Sequence, residues 1–247
     1  MAEYVDAFVT AYERFWAPYP QRMGDAWLRL HGHVAPGAER SLLDVGCGTG
    51  IVAARFASVG YRVVGVDVSE AMIARARVRL AGTDAVLIAA DAADFEVPVP
   101  CAFAVSTYDV LNHVGGIDRV SAYLRCVHRA VAPGGWFGFD MSTVKGLLAE
   151  VPPVTRQDGT VSVEVARGPL DGDRRPLHVT GELRTDDGHA TPFTTTITNT
   201  AHPVADVLSA LADAGWVTSH VAAVDDLLTP VPDPEALPRV AVLARRP

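Results

Sequence analysis

Asp44-Val45-Gly46-Cys47-Gly48-Thr49-Gly50 follows a short apolar run, Leu42-Leu43, and leads into Ile51-Val52-Ala53-Ala54-Arg55-Phe56, which has the character of a helix start. Strand, glycine turn and helix in that order bring the backbone close to a nucleotide-like ligand, with helix N–H groups pointed at it. Glycine serves there because it takes positive φ and has no Cβ to collide with the ligand. The spacing is G-x-G-x-G, and Ile51 stands where a dinucleotide-binding loop has its third glycine, which argues against a pyrophosphate ligand.

Outward from this loop, strand and helix signals alternate. Apolar runs at 41–45, 61–66, 85–90, 102–107 and 135–141 predict strands. Helices fit 51–59, closed by Gly60, and 69–81, capped by Ser69 and closed by Gly82. A third fits 117–131, where Val120, Leu124, Val127 and Val131 share a face before Pro133-Gly134-Gly135 stops it. Short apolar strands separated by helices imply an α/β domain with a parallel sheet covered on both faces. Right-handed crossovers gather the loops after the strands along one edge, where ligands bind.

Upstream, residues 4–34 read as helical with a break at Pro18 and Pro20; Phe8, Tyr12, Phe15 and Trp16 either pack on the core or face a ligand. Beyond about residue 150 the period changes. Stretches 161–165, 177–183 and 193–198 alternate and are rich in β-branched residues, with turn clusters Asp171-Gly172-Asp173 and Asp186-Asp187-Gly188 between them. With no helix between them, they predict a small antiparallel meander inserted in the α/β domain. A helix at 203–214 and strands near 216–224 and 239–245 restore the earlier pattern. The expected organisation is lid helices and ligand-binding core over 1–150, the β insertion over 151–202, and a closing helix and strand pair over 203–247.

The 247 residues suffice for a substantial core, and 49% hydrophobic with 20% charged residues is ordinary for a folded chain. A formal net charge of −8 gives no general attraction to nucleic acid or anionic membrane. Three widely spaced cysteines, Cys47, Cys101 and Cys126, supply neither a disulfide framework nor a metal motif. His31-Gly32-His33 lacks a third ligand nearby, so no metal site is expected. Without a signal-peptide pattern or a membrane-length apolar run, the expectation is a soluble cytoplasmic protein.

Two acids give the loop its meaning. The second strand ends at Gly65-Val66-Asp67, 17 residues beyond Gly50, where a carboxylate can accept both hydroxyls of a ribose; a plain helix cap is the alternative. The third ends at Ala90-Asp91-Ala92, where an acid can accept from the exocyclic amine of adenine. Met72, one turn into the second helix, packs either on that base or in the core.

Asp44-x-Gly46-x-Gly48-x-Gly50, Val66-Asp67-x-Ser69-x-x-Met72 and Ala90-Asp91-Ala92, with Pro133-Gly134-Gly135 before a later strand, resemble the S-adenosylmethionine-binding motifs of class I methyltransferases, in order and spacing, over residues 41 to about 141. The resemblance implies a Rossmann-like fold with a mostly parallel seven-stranded sheet, and S-adenosylmethionine as cofactor with S-adenosylhomocysteine as product. It places Gly46, Gly48 and Gly50 on the methionine part, Asp67 on ribose and Asp91 on adenine. Asp44 would support the loop or reach the amino group through water. Cys47, Val68, Met72, Ala90, Ala92, Thr107, Tyr12 and Trp16 complete the implied cofactor set.

The fourth strand, Ala104 to His113, should carry the acceptor end. It lacks the Asn/Asp-Pro-Pro-Tyr pattern of amino-directed nucleic-acid methyltransferases, and Pro100-Cys101 enters the strand instead of leaving it as in cytosine-C5 enzymes. With the acidic charge, this points to a small-molecule acceptor and away from nucleic acid. Tyr12-Glu13-Arg14-Phe15-Trp16, His113 and the late β insertion resemble natural-product methyltransferases, including amino-sugar N-methyltransferases, which implies Tyr12 near the donor and His113 near the acceptor. His113 titrates in the range useful to a base, or it is a structural imidazole; Asp109 is a second candidate base, or a helix cap. Methyl transfer to nitrogen or oxygen by in-line displacement is the leading expectation. A non-methylating reaction of the bound sulfonium, or a non-catalytic cofactor-binding protein, are the alternatives. The insertion covers the acceptor pocket or makes a subunit contact, as in a homodimer.

Overall fold

The computed structural model of the chain describes residues 6–184 and 189–247. The expected helix start at Tyr4 and Val5, and the turn Asp186-Asp187-Gly188, lie outside the described residues. In order, the elements of the first half are α1 (Asp6–Phe15), α2 (Pro18–Val34), β1 (Ser41–Val45), α3 (Ile51–Ala57), β2 (Arg62–Asp67), α4 (Glu70–Arg79), β3 (Val86–Ala89), β4 (Cys101–Ser106), α5 (Val110–Val114), α6 (Ile117–Ala130) and β5 (Val131–Ser142). There follow α7 (Val144–Leu148), β6 (Val154–Gln157), β7 (Val161–Arg167), β8 (Arg174–Arg184), β9 (Ala190–Thr200), α8 (Val204–Asp213), β10 (Val217–Ala223), β11 (Asp226–Pro230) and β12 (Arg239–Arg245).

One sheet has the order β11-β10-β12-β5-β4-β1-β2-β3, parallel from β5 to β3, with β12 inserted antiparallel beside β5. Successive residues of each strand point to opposite faces, and both faces are covered. Leu43, Val64, Ala104 and Phe137 pack with Val120, Leu124, Val127, Val207 and Leu211 of α6 and α8 on one side. Leu42, Val63, Phe103 and Leu243 pack with Met23, Trp27, Leu30 and Phe56 of α2 and α3 on the other. A Cβ at Gly138 would lie 2.7 Å from the Trp27 ring, so this strand position admits the indole only as glycine. Trp27 Nε1 in turn donates to Thr107 Oγ1 at 3.0 Å, tying the core to the edge where β4 ends.

The sheet has eight strands where seven were expected. The addition, β11, buries only Leu227, and an exposed edge strand leaves no alternation to read. β6 is exposed throughout for the same reason. β5 runs through Pro133-Gly134-Gly135, which reads in sequence as a stop; Gly134 at φ +79° and a register shift against Cys101–Phe103 absorb the irregularity.

The second sheet, β6-β7-β8-β9, is wholly antiparallel. Val161, Val163, Val179 and Phe193 on one of its faces pack against Ala7, Phe8, Val9 and Ala11 of α1 and Met72 of α4. Helix α1 thus joins the second sheet to the first, and the space between them is a cleft.

Candidate active site

The cleft encloses about 760 Å³ and lies at the edge where β1, β2, β3 and β4 end. One end of it is built by the glycine loop. Gly46 and Cys47 donate their N–H groups to Val66 O at 2.7 and 3.0 Å, which hangs the loop from β2. Gly46 and Gly48 line the cleft, both at positive φ (+72° and +54°). A Cβ on Gly48 would project into open space with only the Tyr12 hydroxyl within 4 Å, at 3.8 Å; a Cβ on Gly46 would collide with Val110 at 2.3 Å. The bare backbone is therefore a cradle that side chains would fill.

Asp67 sits across from it. Its Oδ2 accepts Gly48 N–H at 2.8 Å and its Oδ1 accepts Ser69 N–H at 2.9 Å. With a further N–H bond from Val68, the carboxylate keeps lone-pair capacity for an additional donor such as a ribose hydroxyl. Burial raises the Asp67 pKa, opposed by the N–H bonds from Ser69, Gly48 and Val68. Val68, Met72, Ala90, Asp91 and Ala92 continue this wall. Burial works to raise the Asp91 pKa, but the Ala93 N–H at 2.9 Å and Arg119 at 2.6 Å outweigh it and hold the carboxylate below its usual range. Arg119, which also lines the cleft, carried no sequence signal.

Three residues of the expected cofactor set stand behind the loop, outside the cleft lining. Gly50, at φ +77°, gives room to α4: a Cβ there would meet Ala76 Cβ at 3.1 Å and Leu80 at 3.3 Å. Cys47 is buried against Gly65, and burial raises its thiol pKa well above normal. Asp44 is buried beneath the loop and accepts the Ala53 N–H at 3.1 Å, satisfying an orphan donor of the first turn of α3. Burial pushes its pKa up to about 7. A pKa above the unfolded value means that the folded state loses stability as pH rises from about 4 to about 7, where the unfolded chain ionises first. Asp44→Asn should therefore melt several degrees higher than the parent at pH 8, and the gain should fade towards pH 4; melting curves at the two pH values check this.

Phe8 and Tyr12 on α1 and Trp16 just past its end, spaced four residues apart, close the cleft from above; Phe15 is not in its lining. Tyr12 and Trp16 stack at 6.3 Å. Glu13 pairs with Arg79 at 2.5 Å and with Arg75 at 3.5 Å on α4, while Arg14 pairs with Asp158 at 2.8 Å beside the second sheet. The helix is fastened on both sides.

The other end of the cleft begins after β4 with Thr107, Tyr108, Asp109, Val110 and His113. Tyr108 and Asp109 are consecutive non-glycine residues at positive φ, +74° and +65°. Such strain persists only where the surroundings over-determine it, and it clusters at functional sites. Arg239 supplies the constraint by bridging the Asp109 and Asp140 carboxylates from the start of β12. Tyr108 N–H donates to Asp140 at 2.7 Å, Ser142 N–H to Asp109 at 2.8 Å, and Tyr19 O–H to Asp140 at 2.9 Å. Arg239 also lies 5.0 and 5.4 Å from the Tyr19 and Tyr108 rings, which stack 4.5 Å apart. Asp109 thus serves neither as a free base nor as a side-chain cap of α5: its carboxylate is committed to Arg239 and Ser142.

Asn112 stitches α5 to both sheets, donating to Ser142 O and Thr200 O at 3.0 Å each and accepting from Ser142 N–H at 2.9 Å. That fixes where His113 points. The His113 side chain is exposed into the open cleft, while the walls crowd it closely enough that desolvation lowers its pKa. Asp109 opposes this, Arg239 adds to it, and neighbouring Asn199 opposes it. A ligand filling the cleft would complete that desolvation. Overhead, Arg167 and Arg175 hold the carbonyl end of α7, through Gly146, Leu147 and Ala149 for the first and Leu148 for the second. His31, by contrast, is a core imidazole bonded to the Tyr61 hydroxyl at 2.8 Å and stacked on Phe103.

Residues 42–135 match the family described as methyltransferase domain. Among curated proteins, a ubiquinone biosynthesis O-methyltransferase of Thiobacillus denitrificans is 40% identical over 110 residues, covering 42% of this chain and 45% of that one. The chain thus spans less than half the length of that relative. Among solved structures, an S-adenosylmethionine-dependent methyltransferase of Clostridium acetobutylicum superposes with a TM-score of 0.84 at 16% identity, covering 96% and 97% of the two chains. An amino pentose methyltransferase of Micromonospora echinaspora gives 0.77 at 22%, covering 99% and 98%, and a sugar N-methyltransferase of Streptoalloteichus 0.79 at 22%, covering 96% and 92%. Residues 42–135 thus match a methyltransferase domain, and the architecture of the whole chain is the fold seen in S-adenosylmethionine-dependent methyltransferases.

Proposed function

We propose that the cleft holds S-adenosylmethionine along Gly46, Gly48, Asp67 and Ala90–Ala92, and that the chain transfers the donor methyl to a nitrogen of a small-molecule acceptor at His113. The observation that carries this reading is one continuous cleft with two unlike ends, a bare glycine cradle facing an acid at one and an imidazole over a buried charge network at the other. When bound, the cofactor supplies a methyl group already activated on a sulfonium. What the protein adds is alignment and exclusion of water. Tyr12 and Trp16 offer ring faces to the cationic centre, and Thr107, anchored by Trp27, fixes the floor between the two ends.

Nitrogen is favoured by charge. Asp109 and Asp140 share one bridging guanidinium, Arg239, so this group of three carries one negative charge in excess, with the carbonyl-bonded Arg167 as the next cation coupled to Asp109. Burial raises the Asp140 pKa, yet the Arg239 guanidinium and the Tyr108 N–H, which can only donate, both bond its oxygens and favour the ionised form. We take the carboxylate as ionised. Methylation of a neutral amine makes the nitrogen cationic, and a fixed negative charge nearby stabilises that change. His113, neutral because its pKa is lowered, then takes the proton that the new ammonium releases. The full-length structural neighbours named as amino pentose and sugar N-methyltransferases support the same choice, and the first belongs to calicheamicin biosynthesis, which supports a place in secondary metabolism. Oxygen is the second reading, favoured by the name of the ubiquinone relative and by an imidazole placed to deprotonate a hydroxyl.

Matched amines and phenols incubated with methyl-labelled S-adenosylmethionine test the proposal. Amines should gain one methyl with release of S-adenosylhomocysteine; cofactor bound but unconsumed, or consumed without a methylated product, would refute it. On the working acceptor, His113→Ala should lower kcat by roughly 10²-fold with cofactor affinity kept. Because the base is needed neutral, parent activity should fall as pH drops through a pKa below about 6.5, and that limb should vanish in the variant.

A further inference from the structure

Six buried side-chain polar atoms among the described residues have no hydrogen-bond partner, and two of them belong to residues lining the cleft: Arg175 Nε and Asn199 Oδ1. These two residues are register partners across β8 and β9. Both are more than nine-tenths buried, at 6% and 9% exposure. The remaining guanidinium nitrogens are committed, Nη2 to both oxygens of Glu150 at 2.8 and 2.9 Å and Nη1 to Leu148 O at 3.3 Å. The Arg175 charge is therefore answered, and only its Nε–H is left over. Asn199 lies beside the His113 ring, where it favours the imidazolium, but its oxygen makes no hydrogen bond of ordinary geometry with that ring.

A buried donor and a buried acceptor left unmade side by side are costly, and folded proteins keep such atoms where something else completes them. The completing group must accept from Nε–H and donate to Oδ1. A carboxylate or phosphate only accepts, an ammonium only donates, and an apolar group does neither; a hydroxyl does both, whereas the neutral amine to be methylated must keep its one lone pair for the methyl group and cannot also accept from Nε–H. We infer that Arg175 and Asn199 form a hydroxyl-reading subsite beside His113, and that the acceptor carries a hydroxyl next to the atom that is methylated. The inference rests on the reading that the methyl acceptor occupies the His113 end of the cleft. A resident water has the same hydrogen-bonding capacity, and discrimination between ligands separates the two.

The probes are trans-2-aminocyclohexanol and cyclohexylamine, titrated by calorimetry into the full-length protein saturated with S-adenosylhomocysteine. The hydroxylated amine should bind at least tenfold more tightly. Arg175→Lys keeps a cation for Glu150 but removes the Nε–H, and Asn199→Ala removes the acceptor; each should reduce the preference to about twofold or less without altering S-adenosylhomocysteine affinity. Equal binding of the two amines, no binding of the hydroxylated one, or a preference surviving in both variants would overturn the subsite. So would an Asn199→Ala protein that shifts only the pH dependence of His113, because Asn199 would then serve the imidazole. S-adenosylhomocysteine affinity, measured first, reports separately on the cofactor reading: no binding would sink that reading, and the two amines titrated into the ligand-free protein would then still judge the subsite.

Discussion

Replacing Arg239 with leucine should cost about 3–5 kcal/mol of folding stability, the amount typical of removing one partner from a buried ion pair. The Arg239 side chain, 19% exposed, lies between Asp109 and Asp140, and Asp140 is 1% exposed, so the leucine would leave two largely buried carboxylates without their bridging cation. Against a total stability of about 5–15 kcal/mol for ordinary domains, that loss brings the chain near its unfolding threshold. Urea denaturation of parent and variant measures it. Adding Asp140→Asn to Arg239→Leu should recover part of the loss, because one of the stranded charges is then gone. A single variant as stable as the parent would mean that the network contributes nothing net. The consequence for the site is separate: with the bridge cut, Tyr108 and Asp109 lose what holds them at φ +74° and +65°. Turnover should then fall further than cofactor affinity, since Asp67 and the glycine loop lie at the other end of the cleft.

Asp67→Ala acts at that other end. The carboxylate holds Gly48 N–H with one oxygen and Ser69 N–H with the other, so its loss removes the ribose acceptors and loosens the cradle together. Affinity for S-adenosylmethionine should drop by roughly 1.5–3 kcal/mol, the usual range for hydrogen bonds to a charged group, or about 10- to 150-fold. Calorimetry returning the parent affinity would refute the ribose assignment. Folding should lose about 1–3 kcal/mol as the Gly48 and Ser69 N–H groups lose their acceptor, although the charge itself, with a pKa raised by burial, is not a source of stability at neutral pH.

The half proposed to hold the donor was legible because its information is local. A glycine loop between β1 and α3 and an acid at the tip of β2 sit within a few dozen residues, and turn chemistry and strand ends fix their positions without knowledge of the rest. Even there, sequence spacing could not tell Gly48, which opens to the cleft, from Gly50, which opens to Ala76 of α4; both need positive φ, for different neighbours. The acceptor half was legible only in part. His113 could be named, but its surroundings come from elements far apart in the chain: Arg239 from β12, Asp140 from β5, Asn199 and Arg175 from the meander. A trace of the network was present, since Asp140 interrupts the apolar run Trp136–Met141 and an acid inside a buried strand needs a partner. Which arginine answers it depends on the β5–β12 pairing, in which Arg239 stands opposite Ser142, and no local pattern encodes that register.

The meander enters and leaves the α/β body once each, just after α7 and just before α8, and it returns with its inner face turned towards the same cleft. The roof of the cleft is thereby a cassette with two seams, and on the proposed function it carries substrate choice. On that reading, exchanging residues 154–200 between related chains would swap the roof over the acceptor while the glycine cradle stays as it was, so new acceptors could be acquired by splicing without rebuilding the other end of the cleft.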